Sequence, residues 1–108
     1  MMAMNNLGEA YANQRRYDEA TKLFRETLAL QRRINGENHP STAYAIYMLS
    51  TVAAREGHRE EALKMFRDAV DHGFRQSDEI IDQYWKSFRG DPRFEALAAD
   101  VRKQAGAK

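Results

Sequence analysis

Shifting the chain by 42 residues lays "LGEAYANQRRYDEATKLFR" (7–25) over "LSTVAAREGHREEALKMFR" (49–67). Seven of the 19 positions are then identical: Leu7/Leu49, Ala12/Ala54, Glu19/Glu61, Ala20/Ala62, Lys22/Lys64, Phe24/Phe66 and Arg25/Arg67. Average composition gives about one such match by chance. Asp18/Glu60, Leu23/Met65 and Glu26/Asp68 add similar pairs. One unit is used twice, and a period of this size marks a stacked architecture whose units bury their apolar faces against neighbours.

Each unit reads as two helices. In the first, Met4, Leu7, Gly8 and Tyr11 fall at helical spacing and predict one buried stripe. "NQRRY" breaks the pattern, Asp18 is the expected cap of the next helix, and Ala20, Leu23, Phe24, Thr27 and Leu28 repeat the stripe. The second unit does the same with Leu49, Val52 and Ala53, a break at Gly57-His58, then Ala62, Met65, Phe66, Ala69 and Val70. Small residues at Gly8, Ala20 and Ala62 allow close helix approach, with Phe24 and Phe66 filling the space beside them.

Between the units lies "GENHPSTA" (36–43). Gly36 is placed to end a helix as a left-handed C-terminal cap, and Pro40 sits where a first helical turn tolerates it. The stretch is a turn between stacked units and not a linker between domains. The expected organisation is a single domain: a first repeat over 1–35, a turn over 36–42, and a second repeat over 43–73. A capping helix pair over 77–104 completes it.

That last part departs from the repeat. "DEIIDQYWKSFRG" predicts a helix capped by Ser77, with Ile80, Ile81, Tyr84, Trp85 and Phe88 on a wide apolar side. "DPRFEALAADVRKQ" restarts with Asp91 as cap, Pro92 in the first turn, and Phe94, Leu97, Ala98 and Val101 as the buried stripe. A solenoid needs such a terminal pair with a wetter outer face. Trp85 is expected to plug onto the preceding unit.

The positions Leu7, Gly8, Tyr11, Ala20 and Phe24, with Leu49, Ala62, Phe66 and Ala69, resemble the signature of tetratricopeptide (TPR) repeats. The 42-residue period, the "G-E-x-H-P" turn and "N-N-L" in the first helix are similar to the kinesin-light-chain type of TPR. "GDPRFEAL" resembles the tail ends of bacterial multi-TPR proteins, some of them attached to signalling modules such as serine/threonine kinases. The resemblance implies an all-α fold, a right-handed α-solenoid of helical hairpins. Three positions depart from it: Ser50 replaces the small glycine, Ala53 the tyrosine, and Tyr47-Met48 the paired asparagines. The chain opens inside a first helix with no cap before it. It is therefore expected to be the C-terminal piece of a longer array, or to self-associate through its uncapped N-terminal unit.

Chemistry has few residues to stand on. There is no cysteine, which removes disulfides, thiolate zinc sites and cysteine nucleophiles. His39, His58 and His72 have no helical metal spacing, and no G-x-S-x-G or phosphate-cradling glycine motif occurs. Adjacent acids such as Glu60-Glu61 read as solvated faces. No enzyme, cofactor or metal is expected. With 17 basic and 16 acidic residues the net charge is +1, which offers no broad field to nucleic acid or an anionic membrane. Neither a membrane span nor a secretory leader is apparent, so the cytoplasm is the default.

In TPR arrays the first helices of successive units line a concave face. Burying Met4, Leu7, Gly8 and Tyr11 leaves Met2, Asn5, Asn6, Glu9, Ala12 and Asn13 on a second stripe. Its counterpart in unit two is Tyr44, Tyr47, Met48, Thr51, Ala54 and Arg55. By the resemblance, the asparagine amides would hold a peptide backbone, and Tyr44 and Tyr47 would add rigid contact area. Arg55 is the one basic residue there, offset by Glu9, so a neutral or mixed peptide fits better than an acidic C-terminus. The expected function is a protein-interaction module that binds a peptide or protein segment on this face. The alternative is a structural solenoid end that stacks on further repeats and has no peptide ligand.

Overall fold

The computed structural model describes residues 2–74 and 85–106, with side chains for 6–74, 85, 86 and 88–103. The expected Ser77 cap and the Ile80, Ile81 and Tyr84 stripe lie outside the described residues, as do the side chains of Met2, Met4 and Asn5. Every regular element among the described residues is helical: α1 (Met2–Asn13), α2 (Tyr17–Asn35), α3 (Pro40–Arg55), α4 (Arg59–Asp71), a 3-10 turn (Lys86–Phe88) and α5 (Pro92–Gly106). Packing follows chain order: α1 lies on α2, α2 on α3, α3 on α4, and α4 on α5. The fold is all-α, a row of helical hairpins.

The two hairpin turns are built alike. Arg16 N–H donates to Tyr11 O at 2.8 Å, and 42 residues on His58 N–H donates to Ala53 O at 2.9 Å. Arg15 N–H reaches Ala12 O and Gly57 N–H reaches Ala54 O, the second bond of a Schellman closure. That closure needs a left-handed residue at its apex. Unit two places Gly57 there at φ 83°, whereas unit one forces Arg15 to φ 63°. The same closure ends α4, with Phe74 N–H on Ala69 O.

Helix ends correct two expectations. Asp18 does not cap α2: the Schellman turn runs to Arg16, α2 begins at Tyr17, and Asp18 falls in its first turn beside Glu19. Carboxylates there still suit the helix dipole. Gly36 ends α2 with φ 83° but ψ 175°, an extended exit and not a helical left-handed cap. His39 then caps α3, its Nδ1 accepting from Ser41 N–H at 3.0 Å, with Pro40 opening the helix. Asp91 caps α5 as expected, its Oδ1 accepting from Arg93 N–H at 2.9 Å.

The core is one continuous cluster, with Phe24 and Phe66 fully buried. Each such ring contributes about 1.5–3 kcal/mol by leaving water. Gly8 lies directly on Phe24: a Cβ at that position would stand 2.6 Å from the ring's Cε1. Around Phe66 the packing is aromatic. Tyr47 stacks on Phe74 at 4.1 Å between centroids, Trp85 stacks on Phe94 at 5.6 Å, and Phe66 lies 4.9 Å from Trp85. Trp85 is fully buried and plugs the second unit. It precedes a 3-10 turn, however, so the expected α-helix does not continue through Lys86–Phe88.

Leu7 departs from its predicted stripe. It is 47% exposed, while its counterpart Leu49 is 7% exposed. The hairpin itself does not cover this position. Leu49 lies on α3, which packs on α2 of the unit before it, and it shares the lining of a small surface pocket with Arg25, Leu28, Ala29 and Arg32 of that helix.

Candidate functional site

α3 decides what the inter-helix face offers. From Thr42 to Ala54 it carries no charged residue. A helix apolar all round is buried all round, and α3 is enclosed on nearly every side. Tyr47, Met48 and Thr51, expected on an open concave stripe, are all buried. Tyr47 faces Phe74 and Trp85 and accepts a hydrogen bond at its Oη from Trp85 Nε1–H. Thr51 Oγ1 donates to Met48 O within its own helix at 2.7 Å. These three side chains serve the core and are not available to a ligand.

What remains open is a polar cluster between α1 and the last turn of α3. Arg55 reaches back across the units, its Nη2 2.7 Å from Glu9 Oε1 and its Nη1 3.2 Å from Asn13 Oδ1. Glu9 and Arg55 are largely shielded, at 24% and 16% side-chain exposure. A guanidinium suits this role because its planar fork can hold two acceptors at once. Tyr44 is half-buried nearby; burial pushes its hydroxyl above the ordinary tyrosine range, and the charge of Glu9 adds to the effect. Asn6 is exposed on α1, and Asn13 is exposed at its end.

The structure thus brings together Glu9, Asn13, Tyr44 and Arg55, leaves Asn6 on the adjoining surface, and removes Tyr47, Met48 and Thr51. The charge of Arg55 is met by Glu9, as the sequence suggests. The signal that would have excluded the buried three is the uncharged run over 42–54.

The remaining polar groups tie helices together. Arg59 stacks over the Phe88 ring at 4.2 Å and lies 3.4 Å from Asp91. Arg93 pairs with both Asp91 and Glu60, joining α5 to α4. His72 closes the end of α4, with Nδ1 2.8 Å from Asp68 O and Nε2 3.4 Å from Glu37. No described helix is long and apolar enough to cross a membrane.

Comparison with known proteins agrees with this architecture. The family model of the tetratricopeptide repeat matches residues 1–72, two-thirds of the chain. The protein belongs to the tetratricopeptide repeat family. No curated protein and no solved structure matches it significantly. Repeats of this family are in general non-catalytic scaffolds for protein interaction.

Proposed function

We propose that this chain is a cytoplasmic adaptor that binds an extended peptide or protein segment along the face between α1 and α3. Its two repeats (1–35 and 43–73) form the platform, and Trp85 with α5 closes the stack. The observation that carries this reading is the Glu9–Asn13–Arg55 cluster beside half-buried Tyr44. It is polar, fixed across two units, and bordered by an aromatic ring, which suits a backbone amide flanked by an apolar side chain.

Because Arg55 is already paired, a neutral or mixed segment is favoured over an acidic C-terminus. An array of such peptides probed with the whole chain tests this. Saturable binders lost on Asn6→Ala/Arg55→Ala support it, and binders confined to acidic C-termini refute it.

Burial of Tyr47, Met48 and Thr51 favours a second reading, a structural solenoid end with no peptide ligand. An array without any saturable binder selects it.

A further inference from the structure

Two ion pairs frame a slot between α4 and α5. Arg93 meets Glu60 at one end, and Arg67 Nη1 lies 3.4 Å from Asp100 Oδ2 at the other. Each pair joins residues 33 apart in sequence, so the two helices run in the same direction and in register. Seven residues separate the pairs along each helix, about two turns or roughly 10.5 Å. Asp91 also holds Arg93, and Asp71 also meets Arg67, so both end cations are already answered.

Between the two pairs the same offset sets Lys64 against Leu97 and Leu63 against Ala96, and all four line the slot. The ladder has no acid here. Lys64 is exposed and has no partner among the described residues. Leu63 and Leu97, each 5% exposed, form an apolar floor. Ala96 is small and exposed and leaves the space above that floor unfilled, about 410 Å³ open to solvent. This volume is near the small end of ligand pockets, the size for a pair of side chains and not for a folded element.

We propose that the slot binds an acidic segment of a partner protein. One aliphatic side chain enters over Ala96 and Leu97, and a neighbouring Asp or Glu supplies Lys64 with the carboxylate that position 97 lacks. The aliphatic group contributes most of the affinity and the carboxylate most of the selectivity, because an exposed ion pair is worth little by itself. Basic segments are rejected by Lys64, Arg67 and Arg93 around the opening. The slot shares no residue with the Glu9–Asn13–Arg55 cluster, so either site can fail without the other.

The test selects random 12-residue peptides, displayed without a free C-terminus, on the whole chain. Enriched peptides should carry Asp or Glu within four positions of Leu, Ile, Val or Met. A fluorescein-labelled synthetic copy of one should bind saturably by anisotropy. Ala96→Phe fills the slot and should weaken binding tenfold or more, and Lys64→Glu should weaken it about fivefold. Both positions are exposed, so the variants should keep the helical circular dichroism of the parent. Changing the acid of the peptide to Lys should restore binding to Lys64→Glu, whereas Asn6→Ala/Arg55→Ala should leave binding unchanged. Three outcomes overturn the proposal: enriched peptides without an acid, peptide binding indifferent to Ala96→Phe and Lys64→Glu, or a dimer without peptide that Ala96→Phe dissociates.

Discussion

Trp85 Nε1–H donates to Tyr47 Oη at 3.1 Å, a fully buried hydrogen bond between residues 38 apart in the chain. It joins the start of the C-terminal segment to the second helical hairpin. Tyr47→Phe keeps the ring stack on Phe74 and removes the acceptor, leaving a buried indole N–H without it. A loss of about 1–3 kcal/mol is expected. Thermal melting checks it, while the emission of the single tryptophan should stay that of a buried indole. A variant that melts with the parent protein would show that the bond contributes nothing net.

Arg15 holds a left-handed conformation, φ 63°, at the position where the second unit has Gly57. Arg15→Gly should therefore stabilise the chain, by about 0.5–1 kcal/mol once the greater freedom of glycine in the unfolded chain is subtracted. Urea unfolding measures this. The reverse change, Gly57→Arg, should destabilise by a similar or larger amount.

Gly8→Ala improves helix propensity by about 1 kcal/mol, but its Cβ would fall 2.6 Å from the Phe24 ring. Phe24 is fully buried and has little room to retreat. Overpacking of this sort costs about 1–3 kcal/mol. Net destabilisation near 1 kcal/mol is expected, seen as a lower Tm.

Arg55→Ala leaves Glu9, a three-quarters-buried carboxylate, without its guanidinium. Stability should fall by about 1–3 kcal/mol. The double change Arg55→Met/Glu9→Leu should recover much of it, because an apolar pair needs no ionic partner. Denaturation of both variants beside the parent chain measures the loss and the recovery.

Acid should act through Asp91. Hydrogen bonds from the side chain and the backbone N–H of Arg93 hold its carboxyl below the ordinary range, with the charge of Arg59 adding to the effect. The folded chain thus binds this proton less readily than the unfolded one. The contribution is whole above the unfolded value of about 3.9 and drains away as pH falls through the lower folded value. Asp91→Asn keeps a capping oxygen and should flatten the loss of stability below pH of about 4. Melting temperature followed against pH shows the difference.

The helical hairpins are legible in sequence because their determinants are local: Gly8 against Phe24, apolar spacing within each helix, and breaks in that spacing at "NQRRY" and Gly57-His58. The cap formed by Asp91 and the plug formed by Trp85 are read from similarly short patterns. Leu7 and Leu49 are the same residue in the same register, yet only one is covered, since its cover comes from another unit. Tyr47 is lost to the groove for the converse reason: Phe74 and Trp85 reach it from beyond its own hairpin. Periodicity within one helix cannot state which sides its neighbours occupy.

Asn13 and Arg55 stand 42 positions apart, so the bond joins the same structural position in adjoining units. Two arginines at that spot would set like charges together, with donors on both sides and no acceptor. The pair present gives a guanidinium donor and an amide acceptor. At this position the difference between the two copies is what fastens one unit to the next.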